Sequence, residues 1–309
     1  MHFLITGGLG FIGSHLVEQL LSEDHTITIV DDLSSGRREN LPAHHRIKLI
    51  VKDVRDLEVS DVGSPIQGVA HLAAIPSVNS SWINARESHD RNLTATLHML
   101  ELCSALKIPR MIFASSAAVY GEPERSPIEE QDLTRPISPY GLQKFASEEY
   151  GKLFAAHNGF NFTALRLFNV YGPRQSIDSP YSGVISRFLE AARAGQPATI
   201  YGDGSQTRDF IYVKDAAAAF AAALTRKQDQ RTLVCNIGTG NATSVRALAD
   251  QIEKLAAPGR LTITNAPIPP GDIVHSRANI SAARSHLGFN PRYSLEEGLR
   301  LMFAQSSRG

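Results

Sequence analysis

The stretch Thr6-Gly7-Gly8-Leu9-Gly10-Phe11-Ile12-Gly13 constrains this chain most. It lies between an apolar run, Phe3 to Ile5, and an amphipathic run, Ile12 to Leu21, so it reads as a turn joining a strand to a helix. Glycines at such a turn let backbone N–H groups and the positive helix terminus come close to a pyrophosphate. Two spacings fit, Gly8-x-Gly10-x-x-Gly13 and Gly7-x-x-Gly10-x-x-Gly13, and either one alone is a weak signal. The next segment of the chain strengthens it. A second strand-like run, Thr26 to Val30, ends on Asp31-Asp32, about 20 residues after the turn, where a carboxylate would meet the adenosine ribose hydroxyls. The order strand, turn, helix, strand, acid points to a dinucleotide site rather than to a purely structural turn.

Downstream, short apolar runs alternate with helical periodicity. Ile47 to Val51, Val69 to Ala74, Met111 to Ser115 and Phe162 to Leu167 read as strands, while Asn92 to Leu106 and Pro139 to His157 read as helices. Such alternation requires crossover connections, hence an α/β fold built on a doubly wound parallel sheet, Rossmann-like, with ligands at the carboxyl ends of the strands. Beyond Asn169 the texture changes. A polar loop to Tyr181, a helix over Gly183 to Ala194 and a hairpin-like stretch through Gly202-Asp203-Gly204-Ser205 suggest a second, smaller α/β domain for substrate. The alanine-rich run Asp215 to Leu224 reads as a helix capped by Asp215, since alanine is the best helix former. Helices are also expected over Val245 to Leu255, Ile280 to Leu287 and Leu295 to Ala304, with a loop from Pro267 to Asp272. The expected division is 1–168 with 212–238 returning to it, and 169–211 with 239–309 as the smaller domain.

Charge narrows the partners. Lysine and arginine number 31 and aspartate and glutamate 31, so no overall field favours nucleic acid or an anionic membrane. The two cysteines, Cys103 and Cys235, are too few for a disulfide framework and have no neighbour at metal-ligand spacing. No metal is expected. The first strand begins at residue 2 with no signal-like segment ahead of it, and no run of 18 apolar residues occurs after it, which reads as a soluble cytoplasmic protein.

Two stretches carry chemistry. Tyr140 and Lys144 stand four apart at the start of a helix opened by Pro139, which puts the phenol and the ammonium on one face. A nearby lysine, with the positive charge of an oxidised nicotinamide, favours phenolate and lowers a pKa that starts near ~10, making the tyrosine a general base. The same spacing also occurs on ordinary surface helices. Ser116 lies at the carboxyl end of the Met111 to Ser115 strand, where it could donate and accept toward a ligand or simply cap the next turn.

Taken together, Gly7 to Gly13, Asp31, Asp53-Val54, His71-Leu72-Ala73-Ala74, Ser116, the Tyr140/Lys144 pair and Leu165 to Arg174 resemble the extended short-chain dehydrogenase/reductase superfamily. Within it the chain is similar to the UDP-hexose 4-epimerases, from residue 1 to about residue 300. The resemblance implies NAD as cofactor, with Gly7, Gly10, Phe11, Ile12 and Gly13 at the pyrophosphate, Asp31 at the adenosine ribose, and Asp53 with Val54 at the adenine. Leu72, Ala73 and Ala74 would line the cofactor groove. Ser116, Tyr140 and Lys144 would be catalytic, Lys144 also bridging the nicotinamide ribose. Asp31 favours NAD over NADP because a carboxylate repels a 2′-phosphate; Arg37 and Arg38, which could attract one, read as solvated loop charges.

For the nucleotide sugar, the resemblance implies Asn169 and Arg208 at the diphosphate, Tyr201 beside the uracil and Asp272 at the uridine ribose, with Ser116 also touching substrate. The family's arginine two residues before the Gly-Asp pair is here Pro269, so the diphosphate clamp is expected either to be completed by another residue, such as Arg174 or Arg277, or to be weaker. Relatives that dehydrate or decarboxylate sugars carry an acid just after the serine or threonine, where this chain has Ala117 and Ala118. That leaves oxidation and re-reduction at C4. The family's gate on the 2-substituent aligns to Ser276, short enough to admit an N-acetyl group, so UDP-GlcNAc/UDP-GalNAc interconversion is expected, with UDP-Glc/UDP-Gal beside it. The alternatives are a nucleotide-sugar 4-keto reductase, another NDP-sugar epimerase, or a non-catalytic nucleotide-sugar-binding protein, the last disfavoured by the presence of all three catalytic residues. The resemblance also implies a homodimer formed through a four-helix contact of Asn92 to Leu106 and the Tyr140 helix.

Overall fold

The structure is a computed structural model that describes residues 1–63, 65–175, 183–256, 259, 261–268 and 273–305. In chain order the first half runs β1 (His2–Thr6), α1 (Phe11–Ser22), β2 (Thr26–Asp31), β3 (Ile47–Val51), α2 (Val59–Val62), β4 (Gly68–His71), α3 (Val78–Ile83), α4 (Ala85–His89), α5 (Ala95–Ala105), β5 (Arg110–Ser116) and α6 (Pro139–Asn158). The second half runs β6 (Asn161–Leu167), β7 (Asn169–Tyr171), α7 (Val184–Ala194), β8 (Pro197–Tyr201), β9 (Thr207–Arg208), β10 (Phe210–Tyr212), α8 (Val213–Thr225), β11 (Thr232–Ile237), β12 (Thr243–Ser244), α9 (Val245–Ala256), β13 (Thr262–Ala266), α10 (Ser281–Leu287) and α11 (Leu295–Gln305).

Seven strands form one parallel sheet in the order β11-β6-β5-β4-β1-β2-β3. Its two faces follow from the period-2 alternation of strand side chains. On β1, Phe3 and Ile5 point into a core with Leu16, Val17 and Leu20 of α1 and the alanines and Phe220 of α8. Leu4 points the other way, toward Met99, Leu100 and Cys103 of α5 and Ala155 of α6. The alanine-rich helix is thus a core helix, its small side chains letting α8 lie close against α1 and the sheet. A doubly wound, Rossmann-like α/β fold results.

The chain builds β1, β2 and β3 outward in one direction, then returns to β4 on the other side of β1. The crevice at the carboxyl ends of β1 and β4 is therefore the topological switch point, the usual ligand position in open α/β sheets. A separate core gathers Ile185, Phe188 and Leu189 of α7, Ile200 of β8, Leu248 and Ile252 of α9 and Leu299 of α11.

Three local expectations are corrected. The Gly202 to Ser205 stretch does not close a hairpin: β8 pairs in parallel with β13 and β9 antiparallel with β12, so each strand takes a partner from far downstream. Asp215 does not cap α8, which begins at Val213 after Tyr212; its carboxylate accepts from the amides of Arg292 (3.0 Å) and Tyr293 (3.1 Å) and ties down the segment before α11. Asn92 to Leu106 is not uniformly α-helical, because a π-helical turn, Asp90–Thr94, precedes α5. The loop read to Tyr181 falls partly outside the described residues, as do Pro269 and Asp272.

Candidate active site

The glycine turn works by close approach. Gly7 has φ of +67°, open to glycine at no steric cost, and a Cβ there would come within 2.9 Å of the Ala73 amide nitrogen. A Cβ on Gly13 would lie 2.1 Å from the Gly7 carbonyl oxygen. The first turn of α1 can therefore pack directly on the end of β1. Gly10 occupies the cap position without a side-chain cap, so the amides of Phe11, Ile12 and Gly13 remain as an anion-facing cradle. Beside it, Asp31 is held by the amides of Leu9 (3.0 Å, to Oδ2) and Leu33 (2.9 Å, to Oδ1). Burial pushes its carboxyl up and these two amides oppose that shift; each oxygen keeps acceptor capacity for a ribose hydroxyl. A Cβ on Gly36 would come within 2.5 Å of Asp31 Oδ1, so only a glycine lets the loop pass this close to the carboxylate. The residues present fit a dinucleotide.

Farther along the same edge, Asp53 and Val54 open a 3-10 turn. Arg55 grips the Asp53 carboxylate through its amide (2.9 Å), Nε (3.0 Å) and Nη2 (2.7 Å), holding it down at about 2. Leu72, Ala73 and Ala74 continue from β4, the Ala73 amide donating to Thr6 Oγ1 at 3.2 Å. Behind them a buried chain fixes the floor: Thr6 Oγ1 lies 2.7 Å from His71 Nδ1, His71 Nε2 lies 3.2 Å from Thr96 Oγ1, and Thr96 donates to the Asn92 carbonyl at 2.6 Å. His71 is neutral, its pKa pushed by burial down to about 3.

Tyr140 and Lys144 do share one face of α6, on a buried stripe that continues through Ser147, Glu148, Gly151 and Ala155. Pro139 at the first position and Ser138, whose Oγ accepts from the Gly141 amide at 3.1 Å, start the helix there. Small residues let it approach the sheet: a Cβ on Gly141 would come within 2.5 Å of the Ala118 carbonyl oxygen, and one on Gly151 within 2.1 Å of the Phe162 ring. The Ser116 hydroxyl accepts from the Ala118 amide at 3.1 Å and lies near enough to the Tyr140 phenol to favour its phenolate. Ser116 thus caps the turn that follows β5 while lining the neighbouring cleft.

The electrostatics of the pair are set by burial. Burial pushes Tyr140 up to about 12, the Ser116 hydroxyl offsetting only part of the rise. Lys144 is itself desolvated. Its ammonium is pushed down to about 7, with Glu148 opposing, and donates to the Ala114 carbonyl at 2.8 Å, 5.8 Å from the tyrosine ring centroid.

A cleft of about 930 Å³ opens beside this group. Ser116, Ala117 and Ala118 form part of its wall, as do Asn169, Tyr201, Arg208 and Ser276. Ser276 is buried, its amide donating to the Thr207 carbonyl at 3.1 Å, which sets it one strand from Arg208. Neither Arg174 nor Arg277 lines the cleft. Arg174 instead pairs with Glu18 of α1, at a bend where its own φ is +67°. The cleft cation that sequence reasoning missed is Arg187 of α7. Also missed were Asn92, whose side chain holds Ile75 (2.8 Å) and Gln143 (2.9 Å), and the buried pair Glu148 and Arg166. An acid on the buried stripe four residues past Lys144 was the available signal.

Residues 3–238 match the family model described as the NAD dependent epimerase/dehydratase family. Among solved structures, the UDP-N-acetylglucosamine 4-epimerase from Methanobrevibacter ruminantium M1, in complex with UDP-N-acetylmuramic acid, is 38% identical with a TM-score of 0.93, covering 99% of this chain and 98% of that one. The UDP-glucose 4-epimerase of Thermotoga maritima with UDP-glucose is 34% identical, TM-score 0.93, covering 100% of both chains. The UDP-glucuronic acid 4-epimerase from Bacillus cereus, in complex with UDP-glucuronic acid and NAD, is 32% identical, TM-score 0.92, covering 100% of this chain and 99% of that one. With a family model matched over most of its length and solved 4-epimerases similar over nearly the whole chain, this chain belongs to the NAD dependent epimerase/dehydratase family, among its NAD-dependent UDP-sugar 4-epimerases.

Proposed function

We propose that the protein interconverts UDP-GlcNAc and UDP-GalNAc, and acts on UDP-Glc and UDP-Gal as well. The observation that carries the sugar choice is Ser276, a short side chain in the cleft wall. An acetamido group needs real volume in a close-packed pocket, and a small residue leaves it. The similarity to the M. ruminantium UDP-N-acetylglucosamine 4-epimerase supports the same reading.

NAD, when bound, supplies the acceptance and return of hydride at the sugar C4. Tyr140 takes and returns the 4-hydroxyl proton, Ser116 relays it or stabilises the phenolate, and Lys144 would hold the nicotinamide ribose. Burial raises the Tyr140 phenol to about 12, so its working as a base would draw on the positive charge that NAD supplies when bound in the oxidised form. Ala117 and Ala118 put no carboxylate beside Ser116, so elimination lacks a proton shuttle. Gly7, Gly10, Phe11, Ile12, Gly13, Asp31, Asp53, Val54, Leu72, Ala73 and Ala74 hold the cofactor. Asn169, Tyr201, Arg208 and Asp272 hold the nucleotide, and Arg187 takes the place of the arginine absent at Pro269. The smaller domain, 169–211 with 239–309, carries the sugar nucleotide; the protein is a cytoplasmic homodimer.

One observation favours a second reading. A guanidinium at Arg187 in the cleft also suits a sugar carboxylate, as in the UDP-glucuronic acid handled by the B. cereus relative. The test is an assay of UDP-GlcNAc, UDP-GalNAc, UDP-Glc and UDP-glucuronic acid on purified protein without added cofactor. Conversion of UDP-GalNAc, abolished by Tyr140→Phe while NAD stays bound, is the expected result. Turnover surviving in that variant overturns the catalytic assignment, and conversion of UDP-glucuronic acid alone overturns the sugar assignment.

A further inference from the structure

Directly behind Lys144 lies a buried ion pair that the proposed reaction leaves without a role. Glu148, one turn beyond Lys144 on α6, has 0% of its surface exposed, and Arg166 on β6 has 3%. Arg166 donates from Nε to Glu148 Oε1 (3.0 Å) and from Nη2 to Oε2 (2.7 Å), and the Ser115 hydroxyl donates to Oε1. A further donation from Arg166 Nη1 reaches the Glu130 carbonyl at 3.0 Å, and the guanidinium lies 4.7 Å from the centre of the Tyr120 ring. The pair thus pins the catalytic face of α6 to the ends of β5 and β6, one residue from Ser116.

A buried pair of this kind is a weak source of net stability, because desolvation cancels most of the attraction. Its field is another matter, since charges act strongly on each other where water is excluded. Among the described residues, the titratable and charged groups around Lys144 are few. Tyr140 and Glu148 come from its own helix, His71 from β4 and Arg166 from β6, while β5 contributes the Ala114 carbonyl. Glu130 lies beyond Arg166, its carboxylate accepting from the Asn236 amide at 2.7 Å. His71 is neutral at working pH. The charge balance at Lys144, and through Lys144 at Tyr140, therefore turns on Glu148 and the arginine that compensates it.

We propose that Glu148 and Arg166 are positioning residues that set the working ionisation of the Tyr140 and Lys144 pair. This rests on the reading of Tyr140 as the base. Glu148→Gln leaves an uncompensated cation, which favours loss of a proton from both the phenol and the ammonium. Arg166→Gln leaves an anion that favours keeping both protons. Both limbs of the kcat profile against pH are expected to move down by roughly one pH unit in the first variant and up by a similar amount in the second. The double variant should return both limbs to the wild-type position. Tyrosinate absorbance at 295 nm, read as the difference from the matching Tyr140→Phe protein, should move in the same order with no turnover required. Limbs that shift the same way in both single variants, or activity lowered evenly at every pH, overturn the proposal. Should a single variant fail to fold, Glu148→Met with Arg166→Met removes both charges at similar volume; it is expected to keep the wild-type limbs, and displaced limbs there overturn the proposal too. Failure of the Tyr140 reading shows separately, as turnover surviving in Tyr140→Phe.

Discussion

A serine at position 276 and a tyrosine there would differ by a whole aromatic ring in a wall that is already buried. Ser276→Tyr is expected to cut kcat/KM for UDP-GalNAc by about tenfold or more beyond any loss on UDP-Gal, as overpacking of ~1–3 kcal/mol implies. Equal losses on the two sugars, measured side by side, would remove the gate. At this scale the residues proposed to face a ligand were legible as candidates, because a phenol, an amine and a hydroxyl at strand and helix ends announce their chemistry. Glu148, Arg166 and Arg187 were not. Arg166 sits between Leu165 and Leu167 like any strand residue, and its meaning depends on a carboxylate 18 residues away on another element.

The strand-turn-helix unit at the N-terminus reads easily because its glycines act on neighbours within the same few residues. Gly13→Ala places a methyl 2.1 Å from the Gly7 carbonyl oxygen, which no side-chain movement relieves. The expected outcome is loss of bound NAD with the sheet still formed, seen as a protein without cofactor absorbance after gel filtration but with wild-type far-ultraviolet circular dichroism. Retention of NAD would mean that the turn is not the cradle. Helix α6 was equally legible, through Pro139 and the four-residue spacing of Tyr140 and Lys144. The misread elements share one cause: their partners are remote. Strand β8 prefers β13 over its neighbour β9, and Asp215 bonds amides at 292 and 293 rather than its own helix. Turn chemistry and capping propensity describe a local optimum, and tertiary partners override it.

For the molecule as a whole, His71 gives stability a pH dependence. Its folded pKa is about 3 against an ordinary value of 6.5, so between those values the unfolded chain binds the extra proton. Stability therefore falls as pH drops through that window, by about 1.4 kcal/mol per pH unit from this residue. Urea midpoints from pH 7 down to pH 4 should decline less steeply in His71→Gln than in wild type; parallel curves would show that the histidine is not held neutral. The doubly wound sheet itself was legible from alternating periodicities, whereas the order of its strands was not, since strand pairing is set by partners remote in the chain.

That order has a consequence for synthesis. The outer strand β11 is Thr232–Ile237, and it pairs with β6, which ends at Leu167. As the chain is made, β6 is complete long before β11 exists, and its Phe162, Ala164 and Leu165 are all destined for burial. Until then it is a bare apolar sheet edge, the kind of surface on which nascent chains stick to one another. The return of the chain to the sheet after its excursion is the step that closes this edge, and it makes the later segment a guard for the earlier one.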